Sequence, residues 1–453
     1  MEQTNAIPSY LSYAQSLFNI LQQDYQDDNS PRVFAGSTNY WMAGNVFDTT
    51  LDYMLLALAN NLITPQQIQL IMGYVAKNYD LGYQTYNANY SYYTNDNGKR
   101  SGPTNPAAEP KGWWYDDFAW WGIASSKVYL PQYQAIFNNY AGAFQQIATS
   151  CWNVMNNGFT VDPNRPVQWG APNVWARCDK SIFQSVEPKV DGGVWQCDIN
   201  SSYNPFTANL GPFQNTVVNA LYLNLALRLF TPLHTVQEIA REYQFLITWC
   251  FGDNIPPDQR LYYPLAVNSG LILERIATYK NGQAVPPAAW RQVHAAWCGD
   301  QGLMLGAMVN YLNLQPGTQP AQNLIVGILN GVTAAMQSNS ILMPWYPLIN
   351  NPLESVDSAD YASGVGVYMR YLLYAYKNNA TVKRMVDLDT GGIKTMLINA
   401  ANACVNFVFP KYGNGIFDLF NQLSILITAV YVLQGQETEA GVETTAAEEP
   451  AGL

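Results

Sequence analysis

Apolar positions recur along most of this chain at helical spacing, and the pattern predicts helix after helix. Between Tyr10 and Leu21 the residues Leu11, Tyr13, Ala14, Leu17, Phe18 and Leu21 fall near one face of a 3.6-residue repeat. The same reading predicts helices over 41–58, 66–75, 116–125, 133–155, 216–230, 236–250, 302–312, 322–336, 358–376, 394–407 and 417–432. Thr64-Pro65 marks one start, because a hydroxyl cap followed by proline suits the first helical turn. Strand-like alternation is sparse. Its best case, Ser269 to Thr278 ahead of Asn281-Gly282, predicts a short hairpin arm.

Long polar stretches at 85–110 and 162–212 predict loops, which in a helical protein commonly build a binding rim. No sequence period supports a solenoid of repeats. About a dozen helices with no intervening linker suit one all-α domain over residues 1–435, arranged as a closed double ring of helices. Residues 436–453 are acidic, small and free of aromatics, which predicts a disordered tail.

Composition narrows the ligand. The chain has 453 residues, is 48% hydrophobic and 12% charged, and carries a formal charge of −11, which argues against nucleic acid or an acidic membrane surface as partner. Five of its acids (Glu437, Glu439, Glu443, Glu448, Glu449) lie in the tail, so the body is only mildly acidic. Its 31 Tyr and 13 Trp, with abundant Asn, Gln, Ser and Thr, suit a neutral, hydroxyl-rich ligand. Six cysteines without a Cys-x-x-Cys and only two histidines, His234 and His294, predict neither a metal site nor another cofactor. Buried thiols are expected, with a Cys178–Cys197 disulfide left open. The residues from Met1 to Asn5 carry no signal-peptide pattern, so the chain is expected to be cytoplasmic as given, or secreted if trimmed. No apolar run long enough to span a bilayer is expected, and the protein is expected to be a monomer.

The strongest chemical signal is the run from Lys111 to Trp121, where Asp116 and Asp117 sit side by side among Trp113, Trp114, Tyr115, Trp120 and Trp121. Adjacent acids at a helix start are often simple caps favoured by the helix dipole. Among aromatic rings two like charges are costly, so one acid should keep its proton near neutrality. That asymmetry is what a glycosidase pair requires, and rings stack on the apolar faces of sugars. Carboxyl groups on consecutive helical residues can stand about 5–6 Å apart, near the separation of retaining enzymes.

Tyr115-Asp116-Asp117 followed by Ala119-Trp120-Trp121 resembles the signature of glycoside hydrolase family 76, the endo-α-1,6-mannanases. Tyr40-Trp41 with Asp48 and Asp52, Gly192-Gly193-Val194-Trp195 with Asn219-Ala220, Asp300-Gln301-Gly302, and Gly364 to Arg370-Tyr371-Leu372 resemble further family segments in the same order. The resemblance spans residues 8 to 433. It implies an (α/α)6 barrel with long loops forming a cleft at one end, and a retaining double displacement on a mannan-like oligo- or polysaccharide. It assigns Asp116 as nucleophile and Asp117 as general acid/base. Tyr115, Trp114, Trp195, Gly193, Trp41, Asp300 and Gln301 are the implied substrate contacts. The chain departs from the family at Gln196, at Asp300 and at Ala362-Ser363, all at expected subsites.

Other residues carry weaker expectations. Arg370 is expected to anchor a carboxylate in the barrel wall. Asp48 and Asp52, spaced i, i+4, share a helix face, either inward toward the cleft or in solvated or capping roles. Asp191 reads as a turn residue, and Glu354, Asp357 and Asp360 as part of a rim beside Trp345-Tyr346. Two alternatives keep the scaffold: a transglycosylase remodelling cell-wall or surface glycans, and a non-catalytic glycan-binding protein. A sugar epimerase on a similar ring would need histidines in a motif that this chain lacks.

Overall fold

The computed structural model describes residues 6–26, 40–91, 115–156, 193–194, 215–253, 255, 257, 260–274, 279–280, 283–284, 295–347, 361–410 and 415–446. The main helices are α1 (Ile7–Gln26), α2 (Tyr40–Ala59), α3 (Pro65–Ser91), α4 (Tyr115–Ser126), α5 (Ala141–Asn156), α6 (Thr216–Arg228) and α7 (Val236–Phe251). They continue with α8 (Cys298–Leu314), α9 (Gln319–Ala335), α10 (Gly364–Asn378), α11 (Ala380–Asp387), α12 (Ile393–Val405) and α13 (Gly415–Ala446). The fold is all-α, with two-stranded pairings as its only sheets among the described residues.

Local chemistry sets the helix starts. Thr64 and Gln67 form a reciprocal cap on α3: the Thr64 N–H donates to Gln67 Oε1 at 2.9 Å, and the Gln67 N–H to Thr64 Oγ1 at 3.2 Å. Asn215 caps α6 and Asn379 caps α11 through their side-chain oxygens. The helix expected over 133–155 is broken. Asn138 takes a positive φ of 35°, which Asn tolerates better than most residues, and a continuous helix begins only at Ala141. The expected hairpin is two: β1 (Tyr262–Ala266) pairs with β2 (Ser269–Ile272), and β3 (Tyr279–Lys280) with β4 (Gln283–Ala284).

Six helices pack in succession: α2 on α4, α4 on α6, α6 on α8, α8 on α10, α10 on α13, and α13 on α2. Early residues meet early residues and late meet late. Trp41 faces Trp120 while Lys127, just past α4, bonds Asp52. Gly302 abuts Tyr368 and Gly306 abuts Tyr371. Asn421 donates to Ala362 O, Thr428 to Met369 O, and Gln434 to Asn60. Trp41 also contacts Phe417. The six helices therefore run in one direction, with their N-terminal ends together. Close approach needs small residues: a Cβ on Gly44 would lie 2.9 Å from the Trp121 backbone nitrogen, so α2 and α4 touch through that glycine.

Two expectations change here. The stretch Gly415–Gly435 of α13 is apolar and long enough to cross a membrane, with mean hydropathy 1.7, contrary to the sequence reading. In this fold 83% of that stretch is buried against neighbouring helices, so its apolarity is that of a core helix. Helix α13 also continues through 436–446, where composition predicts a disordered tail, and α3 continues through 85–91, where a loop is expected.

Candidate active site

Asp116 and Asp117 occupy the first turn of α4, both half-buried, beside the buried Tyr115, Phe118, Trp120 and Trp121. Their position is favourable for negative charge, because the unsatisfied N–H groups and the dipole of α4 point at them. Trp41, near the start of α2 and partly exposed, lies 6.5 Å from Trp120 and 5.3 Å from Phe417 between ring centroids. An aromatic cluster thus joins the N-terminal parts of α2, α4 and α13, with Trp120 and Phe417 buried and Trp41 partly exposed. Trp113, Trp114, Asp191, Trp195, His294, Glu354, Asp357 and Asp360 lie outside the described residues.

The start of α6 holds the Gly193-Val194 segment. Gly193 has φ 82°, a conformation that penalises any side chain, and its N–H donates to Glu242 Oε2 at 3.1 Å. Asn219 clasps the next residue at two points: the Val194 N–H donates to its Oδ1 at 2.6 Å, and its Nδ2 donates to Val194 O at 3.2 Å. Burial pushes the Glu242 carboxyl well above the usual range, against the lowering effect of the Gly193 N–H. Gly193 is therefore held as backbone, by residues of α6 and α7.

Asp300 and Gln301 open α8 and are fully buried. Gln301, expected at the sugar, gives its amide to backbone groups. Oε1 accepts from the Ile272 N–H at 2.8 Å, and Nε2 donates to Ile272 O at 2.8 Å and to Trp297 O at 2.9 Å. It splices β2 to the start of α8, completing a strand edge that would otherwise be unpaired. Trp297 seals this corner, its indole covering Gly299 and its Nε1 donating to Tyr361 O at 3.0 Å.

Asp48 and Asp52 point inward, and neither is solvated. Lys127 Nζ bridges them, 2.7 Å from Asp48 Oδ1 and 2.6 Å from Asp52 Oδ1. Arg370 Nε reaches Asp48 Oδ2 at 3.0 Å, as expected of a wall anchor, and its NH1 donates to Thr49 Oγ1 at 2.9 Å. The Tyr133 hydroxyl donates to Asp52. Burial would raise Asp48, but Lys127, Arg370 and Arg228 together outweigh it and hold its carboxyl below the ordinary value. This cluster sits toward the C-terminal ends of the helices, away from Asp116 and Asp117. Glu242, Lys127 and Tyr133 escape sequence reasoning. An acid pair on one helix face requires a cation once it is buried, but the sequence left that burial open.

His234 ends a short turn in the left-handed conformation (φ 53°), a local role. Cys151, Cys250, Cys298 and Cys404 are buried free thiols. Among the described residues no group of His, Cys, Asp and Glu is arranged to hold a metal ion.

No family model matches this sequence, and no curated protein matches it. Solved structures do. An inactive variant of an α-1,6-mannanase from Salegentibacter sp. HEL1_6, with two consecutive aspartates changed to asparagine and α-1,6-mannotriose bound, matches at TM-score 0.55 and 13% identity, over 93% of this chain and 99% of that one. A family 76 mannosidase from Bacteroides thetaiotaomicron gives TM-score 0.54 and 10% identity over 94% and 99%. Dfg5 from Chaetomium thermophilum, in complex with glucosamine, gives 0.53 and 13% over 94% and 90%. At such identities the likeness speaks for the fold, and the fold is that of the family 76 glycoside hydrolases.

Proposed function

We propose that this protein is a retaining glycoside hydrolase acting on α-mannosidic bonds, as an endo-α-1,6-mannanase. In this reading the six parallel helices are the inner ring of an (α/α)6 barrel, with the cleft over their N-terminal ends. One observation carries the proposal: two consecutive half-buried aspartates in the first turn of α4, set in an aromatic frame. The mannanase bound to α-1,6-mannotriose was made inactive by changing two consecutive aspartates, which supports the same pair here.

Asp117, protonated, donates to the glycosidic oxygen while the Asp116 carboxylate attacks the anomeric carbon, and the C–O bond to the leaving sugar breaks. Asp117, now a carboxylate, takes a proton from water, whose oxygen displaces Asp116 from the same carbon. Two inversions give net retention. Trp41 and Tyr115, with Trp114 and Trp195, would stack on sugar faces; Gly193 and Asp300 would border the subsites.

The test is incubation with α-1,6-mannan, following oligosaccharides by mass spectrometry and the new anomer by NMR. Wild type is expected to release products with retained configuration, and Asp116→Asn and Asp117→Asn to lose at least about a hundredfold in rate. Equal inertness of wild type and both variants across a panel of α-mannans would defeat the substrate assignment. Products longer than the starting oligosaccharide would instead mark transfer to a sugar acceptor.

A further inference from the structure

At the other end of the same helices lies a small cavity of about 40 Å³, partly open to solvent, between α2, the segment that follows α4, α6 and α10. Four cations line it, Lys127, Arg228, Arg370 and Lys377, against two carboxylates, Asp48 and Asp52. Two positive charges are thus in excess in a protein of net charge −11. Much of this charge has a structural reason. Lys127, Arg228 and Lys377 stand at or just past the C-terminal ends of α4, α6 and α10, where unpaired carbonyls and the helix dipole favour cations. Lys127 donates to Asp48 O at 3.1 Å, and Arg228 NH1 donates to Ile123 O at 2.9 Å and Ser126 Oγ at 3.4 Å.

That reason leaves part of the donor set unused. Arg228 Nε and the Tyr371 hydroxyl are buried without a hydrogen-bond partner, and Tyr371 is only 2% exposed. Both line the same pocket. Lys377, an exposed residue that also lines the pocket, has its ammonium 3.2 Å from the centre of the Tyr431 ring. Arg370 and Lys127 are committed to Asp48 and Asp52, so the remaining donors are cationic or phenolic and seek acceptors. Water would satisfy the hydrogen bonds and leave the charge uncompensated. A multivalent oxygen anion would answer both.

We propose that this pocket binds a phosphate-sized oxyanion, as inorganic phosphate or as the phosphate group of a larger ligand, with Arg228, Tyr371 and Lys377 as its donors. The proposal is independent of the acid pair, which lies eleven residues back along α4 from Lys127, roughly 16 Å at the helical rise. Titrate the intact protein with sodium phosphate by calorimetry near neutral pH, with sodium chloride at matched ionic strength as control, and compare a hexose phosphate with the free hexose. Saturable phosphate binding absent with chloride is expected. Lys377→Gln should weaken it about tenfold and Tyr371→Phe about fivefold, the loss of one charge-assisted and one neutral donor. Tighter binding of the hexose phosphate would assign the larger ligand, and binding no tighter than phosphate the free anion. Phosphate behaving like chloride, or Lys377→Gln binding as wild type does, overturns the proposal. Lys377 is exposed, so that variant is expected to fold even if Tyr371→Phe does not.

Discussion

Replacing Lys127 with methionine tests the interior ion cluster directly. The Lys127 side chain is 6% exposed, and those of its partners Asp48 and Asp52 are 5% and 7% exposed, so solvent screens these contacts little. Methionine preserves the apolar stem and removes the charge, leaving two buried carboxylates. Asp48 keeps Arg370 and Asp52 keeps the Tyr133 hydroxyl, so the loss falls mainly on Asp52. Removing one partner of a buried ion pair costs about 3–5 kcal/mol, and that is the expected fall in unfolding free energy by urea titration at neutral pH. The pH dependence supplies a sharper check. In wild type the folded pKa of Asp48 is depressed, so its contribution is present above the unfolded value near 4 and is lost as pH falls through the folded one. In Lys127→Met the cation that does most to hold the Asp48 carboxyl low is gone, so the variant gains less stability than wild type as pH rises through that range. The gap between the two proteins should therefore narrow on acidification. A loss under about 1 kcal/mol, or a gap constant with pH, would refute the assignment of Lys127 as a necessary counter-ion.

Further outcomes follow from other contacts. Glu242→Gln keeps an acceptor for Gly193; because burial raises the native carboxyl's pKa, wild type should lose stability as pH rises above about 4.3, and the variant should lose that slope in urea melts at several pH values. Gln301→Leu strands the backbone N–H and C=O of Ile272, with an expected cost of about 2–4 kcal/mol in the same assay, where a neutral result would return Gln301 to the candidate subsites. Asp117→Ala should hydrolyse aryl mannosides with good leaving groups far better than mannan, because such groups depart without a proton; an equal loss on both substrates would remove Asp117 from the acid role.

The helical architecture was legible because α5 and α7 bury a stripe that recurs at 3.6 residues, while α4 and α8, buried on every side, read as longer apolar runs. Its failures have local causes. Residues 85–91 continue α3 without apolar periodicity, so they read as loop. The break at Asn138 depends on a single backbone angle inside an otherwise periodic run. Helix α11, eight residues long, carries only one apolar i, i+3, i+4 set, Val382, Met385 and Val386, behind the Asn379 cap. The place of Asp116 and Asp117 in a first turn was legible because the helical pattern resumes there after Gly112. Gln301 was not, since one primary amide serves a sugar hydroxyl or a peptide group equally well, and only the fold shows that Ile272 takes it. Lys127 stands 75 residues from Asp52, a pairing no local pattern announces.

The parallel run of the six helices explains where the charges lie. Each helix carries roughly half a positive charge at its N-terminus and half a negative one at its C-terminus, and six in one direction do not cancel among themselves. Acids collect at the first end: Asp116 and Asp117 on α4, Asp300 on α8 and Asp418 on α13 all lie in first turns. Cations collect at the other: Arg228 and Lys377 lie in the last turns of α6 and α10, and Lys127 follows α4 directly. One topology thus gives the two ends opposite chemistry. The N-terminal end can hold a carboxylate nucleophile at little electrostatic cost, while the C-terminal end gathers enough positive charge to need buried acids as ballast. Asp48 and Asp52 supply that ballast only in part, which is why the pocket beside them remains cationic in an acidic protein.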